Sequence, residues 1–164
     1  MKILLTGGAG YIGSHTAVEL ISEGHDVVIV DDFSNSKEVV INRISEITGT
    51  QISYHRLDIR DTETLVGICR DEAIEAAIHF AGLKAVGESV EDPLRYYDVN
   101  LGSSVSLCKA MVSLNIRHLV FSSSATVYGE PERIPLDEEC RASDAANPYG
   151  RTKLAIEYCL SDAS

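Results

Sequence analysis

The sequence predicts an α/β fold, a parallel sheet doubly wound with helices on both faces. Three observations predict it. Short β-rich apolar runs alternate with longer helical stretches along the 164 residues. The run Asp26–Asp31 (DVVIVD) is apolar without alternation, the pattern of a strand covered on both faces. Glycines crowd the turn after the first run, at Gly7, Gly8, Gly10 and Gly13.

Taken in order, Lys2–Thr6 is a compact apolar strand ending in glycines. Tyr11–Glu23 reads as a helix with Ile12, Thr16, Val18, Leu20 and Ile21 on or near one face, and Gly24 suits its C-terminal stop. Asp26–Asp31 is the second strand. Gln51–Leu57 is a weaker third, with a helix over Asp61–Cys69 behind it. Ala76–Phe80 (AAIHF) is the fourth, and Pro93 opens a long helix to about Leu114. His118–Ser123 (HLVFSS) is the fifth, followed by a loop with Pro131 and Pro135 and a last helix from Pro148. There is no internal repeat, low-complexity tract or linker.

Composition narrows the function classes. With 45% hydrophobic and 24% charged residues the chain has the make-up of a globular domain with a proper core. No apolar run approaches the roughly 18 to 20 residues needed to span a bilayer, and MKILLT lacks a cleavage site, so a cytoplasmic protein is expected. Fourteen basic against 25 acidic residues give a formal charge of −11. That balance argues against nucleic acid as a partner, because phosphate backbones are bound by basic surfaces. A small anion remains compatible, since a helix start can hold one with backbone N–H groups. Cys69, Cys108, Cys140 and Cys159 have no metal-ligand spacing and read as reduced, buried thiols. The five histidines likewise lack ligand spacing, so no metal is expected. His79 reads as a packed strand residue, and Asp137-Glu138-Glu139 as a solvated loop.

Gly7-Gly8-Ala9-Gly10-Tyr11-Ile12-Gly13 satisfies G-x-G-x-x-G at Gly8, Gly10 and Gly13, and G-x-x-G-x-x-G at Gly7, Gly10 and Gly13. It follows a strand and precedes a helix, the context in which such glycines hold a pyrophosphate at a helix N-terminus. Asp31, with Asp32 beside it, ends the second strand. A carboxylate there bonds the adenosine ribose hydroxyls and repels a 2′-phosphate, so the expected cofactor is NAD rather than NADP. This makes the sheet a Rossmann type.

Of seven tyrosines, only Tyr149 has a lysine four positions on, Lys153, on the same helix face. Lowering a phenol from about 10 to about 7, so that it can act as a base, takes about 4 kcal/mol, and a nearby ammonium favours the phenolate. Ser122-Ser123-Ser124 ends strand five at the carboxyl edge, where ligands of open α/β sheets bind.

The blocks TGGAGYIGSH (Thr6–His15), HFAGLKAVGESV (His79–Val90), FSSSATVYGE (Phe121–Glu130) and NPYGRTK (Asn147–Lys153) resemble the extended short-chain dehydrogenase/reductase family. More narrowly, and through essentially the whole chain, they resemble the bacterial UDP-glucose 4-epimerases, AGLKAVGESV being the narrowest signal. The resemblance implies Tyr149 as base, Lys153 as its electrostatic partner and Ser124 as third catalytic group, with Ser124, Ala125, Thr126 and Tyr149 touching substrate. It implies cofactor contacts at Gly7, Gly10, Tyr11, Ile12, Gly13, Asp31, Asp32, Phe33, Asn35, Ser36, Asp58, Ile59, Phe80, Ala81, Gly82, Leu83, Lys84, Asn100, Tyr149 and Lys153. The implied reaction interconverts UDP-glucose and UDP-galactose: hydride leaves C4, the 4-keto sugar turns over, and hydride returns, with NAD bound throughout.

Two departures from the family pattern stand out. Val99 occupies a position where these epimerases often carry Asn, with Asn100 following, and Gly102 is shifted by one. The resemblance also implies a second, sugar-nucleotide-binding domain, so residues 1–164 read as an incomplete NAD-binding domain truncated after the catalytic helix, with little or no epimerase activity alone. A sugar-nucleotide 4,6-dehydratase is the enzymatic rival, but Ala125-Thr126-Val127 lacks the carboxylate that elimination uses. Epimerases of uronic or N-acetylated sugars remain open. A non-catalytic NAD-binding or dimerisation module is the other class. Family analogy implies a homodimer through the helices Asn100–Leu114 and Tyr149–Leu160, whose apolar positions could instead face the sheet.

Overall fold

The computed structural model describes residues 1–130, 133–142 and 144–164; Pro131, expected in the loop after the fifth strand, lies outside them. The chain forms two compact units, Met1–Ala81 with Ser106–Ser122, and Gly82–Val105 with Ser123–Ser164.

The first unit holds a parallel sheet in the order β3-β2-β1-β4-β5. Its strands are β1 (Lys2–Thr6), β2 (Asp26–Asp31), β3 (Ser53–Arg56), β4 (Ala76–His79) and β5 (His118–Phe121). Alternate strand residues feed two cores, one per face. Leu4, Val28, Val30 and Ala77 pack with Leu65, Ile68, Leu107 and Met111. Ile3, Leu5, Val27 and Ile29 pack with Ala17, Ile41 and Ile44. That is why DVVIVD shows no alternation: both faces of the strand are covered. The order reverses between β1 and β4, the switch point at which open α/β sheets bind ligands.

Helices α1 (Tyr11–Ser22), α2 (Val39–Thr48) and α3 (Thr62–Asp71) follow the first three strands. On α1 the buried residues are Gly13 and Ala17, whereas Ile12 is 58% exposed, so the expected Ile12 face is corrected. Two small residues there let the helix lie close to its neighbours. Helix α2 was not expected from the sequence. Its signal is the pair Ile41 and Ile44, three apart and buried, closed by Gly49 in the left-handed region at φ 68°. Asp61 caps α3 by accepting from Thr64 N at 3.1 Å. Of the cysteines only Cys69 is buried; Cys108, Cys140 and Cys159 are partly exposed, which corrects the expectation of four buried thiols. His79 is buried with its Nδ1 2.6 Å from Thr6 Oγ1.

At the amino ends of the strands, Glu72 accepts from Lys2 Nζ at 2.8 Å, Ser53 Oγ at 2.5 Å and His55 Nε2 at 3.1 Å. One carboxylate thus ties β1, β3 and the end of α3. These donors, Lys2 first, pull its pKa down to about 2 from 4.5. A carboxylate depressed by folding adds stability above its unfolded value and loses it as the pH falls towards the folded one. Glu72→Gln should therefore cost about 1–2 kcal/mol at pH 7, after solvent screening. In urea titrations the difference from wild type should shrink as the pH is lowered from 4.5 towards 2; a difference independent of pH would contradict this.

The second unit is helical. It contains α4 (Val86–Glu91), α5 (Pro93–Tyr96), a π turn over Tyr97–Leu101, the start of α6 (Gly102–Ser113), a 3₁₀ turn (Ala125–Tyr128) and α7 (Pro148–Asp162). Pro93 and Pro148 stand in the first turns of their helices as expected. The single helix anticipated from Pro93 to Leu114 is instead interrupted by the π turn. A π turn accommodates one residue more per turn than an α turn, and here it holds buried Asn100. Leu107 and Met111 of α6 belong to a core of the first unit rather than to a free face. Among the described residues, no helix is long and apolar enough to cross a membrane, and no cluster of three His, Cys, Asp or Glu could hold a metal.

Candidate active site

The glycine turn is dictated by space. Gly7 has φ +69°, and a Cβ there would stand 2.6 Å from Ala81 N. A Cβ on Gly13 would stand 2.6 Å from Gly7 O, so α1 can begin against the turn only without one. Gly10 precedes α1, with no side-chain cap and no acid in the first turn. The helix start is left to meet an anion. These features fit a dinucleotide pyrophosphate.

Asp31 is 7% exposed, and its carboxylate organises both turns. Oδ2 accepts from Ala9 N at 3.0 Å, and Oδ1 from Phe33 N at 2.9 Å and Ser36 Oγ at 2.8 Å. A carboxylate has about four acceptor positions, so one on Oδ2 is left for a ribose hydroxyl. Asp32 is exposed and accepts from Ser34 N at 2.8 Å. Asn35 is exposed. Phe33 sits at φ 60°, unusual for a bulky residue. Asp58 accepts from Arg60 in a fork at 3.0 and 2.5 Å. Ile59 turns its side chain into the core while its carbonyl accepts from Ser106 Oγ. Phe80 and Ala81 follow β4, half-buried, and Tyr11 is 76% exposed.

The proton-transfer candidates lie together in the second unit. Asn147 caps α7, accepting from Gly150 N at 2.8 Å, which fixes the first turn that carries Tyr149. Lys153 is 6% exposed, with Nζ 6.0 Å from the centre of the Tyr149 ring. Burial pushes its pKa down to about 8. Ser124 Oγ accepts from Thr126 N at 3.3 Å and Thr126 Oγ1 at 2.9 Å, leaving its own proton to donate to a ligand oxygen. Ala125, between them, is exposed. A Cβ on Gly150 would lie 3.0 Å from Thr126 O, so the absence of a side chain beside Tyr149 lets α7 press onto the serine turn. Gly150→Ala should lower turnover several-fold without unfolding the protein, because alanine favours the helix by about 1 kcal/mol while the contact must open. Steady-state kinetics beside a thermal melt separates the two effects.

Sequence reasoning did not foresee what holds this helix. Buried Asn100 accepts from Leu83 N at 2.7 Å and donates to Leu83 O and Thr152 Oγ1, both at 3.0 Å. Thr152 in turn donates to Tyr149 O at 2.7 Å. Both Asn100 amide hydrogens are engaged by protein, so its structural role is to join the Leu83 loop to α7. Tyr96, fully buried, accepts from Ala85 N at 3.0 Å. Exposed Lys84 is thereby flanked by two pinned backbone positions. Gly82 is also exposed, and a Cβ there would stand 3.0 Å from Asn100 Oδ1. Asn100→Leu strands Leu83 and Thr152 and should cost about 2–4 kcal/mol in urea unfolding; a loss under 1 kcal/mol would contradict the role.

Comparison with known proteins decides the family. The model of the NAD dependent epimerase/dehydratase family matches residues 3–164. The chain belongs to this family. A UDP-glucose 4-epimerase of Bacillus subtilis is 51% identical over 162 residues, 99% of this chain and 48% of its own length. One from Schizosaccharomyces pombe is 49% identical, over 98% of this chain and 46% of its own. Among solved structures, the Stenotrophomonas maltophila UDP-glucose-4-epimerase with bound NAD and formylated UDP-arabinopyranose matches with a TM-score of 0.95 at 49% identity, over 99% of this chain and 48% of that one. The Bifidobacterium longum enzyme in complex with NAD+ and UDP matches with a TM-score of 0.97 at 45% identity, with the same coverage. The chain spans about half the length of the curated relatives it matches. Members of the epimerase/dehydratase family are NAD-dependent, and the five-stranded Rossmann sheet of this chain matches about half of each of these epimerase chains.

Proposed function

We propose that residues 1–164 form the NAD-binding and proton-transfer part of a UDP-glucose 4-epimerase acting in the cytoplasm, with the sugar nucleotide's uridine held by a second domain. The observation that carries the reading is buried Lys153 on the helix of Tyr149, packed through Gly150 onto the turn of Ser124. The identities of about half to UDP-glucose 4-epimerases support the substrate class.

When bound, NAD supplies the acceptor and donor for the hydride of sugar C4. Tyr149 takes the proton of the 4-hydroxyl as C4 is oxidised, and returns a proton to the 4-keto oxygen after the sugar has turned. Lys153, held in a low-dielectric site, stabilises the phenolate through space. Ser124 donates to the same oxygen and keeps it near the phenol. Gly7, Gly10 and Gly13 hold the pyrophosphate, and Asp31 a ribose hydroxyl. Ala125 brings no carboxylate, which favours epimerisation over dehydration. The test is conversion of UDP-galactose to UDP-glucose by the protein carrying both domains, without net accumulation of reduced cofactor. Accumulation of NADH, or release of water to give a 4-keto-6-deoxy sugar, would overturn the reading.

Within the second unit, Leu101, Val105, Ala155, Tyr158 and Cys159 line an open, mainly apolar groove of about 520 Å³. We assign it to a second copy of the chain, in a homodimer. Light scattering should give twice the chain mass; a monomer at high concentration would remove the assignment.

A further inference from the structure

In the parallel register of β2 and β3, Arg56 is the partner of Asp31, the residue on which discrimination between NAD and NADP turns. An arginine at the edge of this turn is what an NADP enzyme uses to accommodate the 2′-phosphate. Here the guanidinium of Arg56 lies over the Phe33 ring, 4.8 Å from its centre, and donates to Glu38 Oε2 at 2.8 Å. The other Glu38 oxygen accepts from Tyr54 OH at 2.6 Å, and Tyr54 meets Phe33 edge-on with ring centres 6.2 Å apart. These two donors, Tyr54 first, hold the Glu38 carboxyl below the usual range, so the pair is ionised at neutral pH. Phe33 itself is tied by its N–H to Asp31. Four side chains thus fix one cation in one place.

We propose that Glu38 is a specificity-determining residue: by engaging Arg56 on the face of Phe33, it denies a 2′-phosphate the one arginine in register with Asp31. NAD is then preferred over NADP on two carboxylates rather than one. Asp31 supplies repulsion and Glu38 withholds the counter-charge. Arg60, the next arginine along the chain, is paired with Asp58. The proposal rests on the NAD-binding reading above. Both members of the Glu38–Arg56 pair are about half exposed, so the expected effect is modest.

The test is calorimetric titration of the chain with NAD and with NADP, for wild type, Glu38→Gln, Arg56→Met and the double variant. Thermal melts establish that all four are folded. Glu38→Gln should tighten NADP about fivefold and leave NAD within about twofold, as release of one exposed arginine implies. In the Arg56→Met background the same substitution should change NADP binding by less than about twofold. A gain that persists without Arg56 would come from lost repulsion by Glu38 and would overturn the proposal. An unchanged NADP-to-NAD ratio in Glu38→Gln, with NAD still bound, would overturn it and leave the NAD reading standing. Failure of every folded variant to bind NAD would overturn both.

Discussion

Replacing Tyr149 by phenylalanine should reduce epimerase turnover about 10²–10⁴-fold, the usual contribution of a positioned general base, while NAD stays bound. The substitution removes one oxygen and keeps the ring. The helix start is held independently, by Asn147 on Gly150 N and by Thr152 on Tyr149 O. Lys153 remains buried beside the ring. Any loss therefore measures the missing phenol rather than a displaced helix. Turnover is read from UDP-galactose conversion by the two-domain protein, and bound NAD from the absorbance of the denatured sample. Turnover within about threefold of wild type would take the base role away from Tyr149.

The second large effect concerns Lys153, where activity and stability should move in opposite directions. Burial lowers its pKa from 10.5 to about 8, so folding makes the ammonium harder to keep. The unfolded chain holds this proton more tightly than the folded one. The cost is fully present below about pH 8 and is relieved as the pH rises towards the unfolded value. Lys153→Met keeps the aliphatic stem and removes the charge. It should stabilise the fold at pH 7 by at most about 3 kcal/mol. It should also lower turnover at least about 10²-fold, through loss of the phenolate's partner. Urea unfolding at pH 7 and at pH 10 checks the sign: wild type should gain stability between them and the variant should not gain from this source. A variant less stable than wild type at pH 7 would contradict the burial argument. The same titration predicts that turnover declines above about pH 8, as the ammonium is lost.

Much of the fold was legible because its signals are local. Two-sided burial leaves β2 without alternation, and the glycines at 7, 10 and 13 mark a turn whose close contacts forbid a Cβ. Pro93 and Pro148 mark helix starts because a missing N–H costs nothing there. What was missed depends on tertiary packing. Helix α2 opens with Val39, Val40 and Ile41, residues that favour strands, and is held as a helix by Ile41 and Ile44 in the core. Ile12 looked like a core residue from its type, but the small Gly13 and Ala17 take the buried face. In the site, Tyr149, Lys153 and Ser124 were accessible through spacing and family likeness. The Asn100–Leu83–Thr152 tie was not, because its partners are 17 and 52 residues away from Asn100. The π turn that presents Asn100 follows no composition rule either.

The central claim is that these residues form an NAD site of an epimerase. Calorimetric titration of the purified chain with NAD tests it most directly. One NAD per chain, with NADP bound more weakly, is the predicted result. A folded chain that takes up no NAD, or that binds NADP as tightly as NAD, would contradict it.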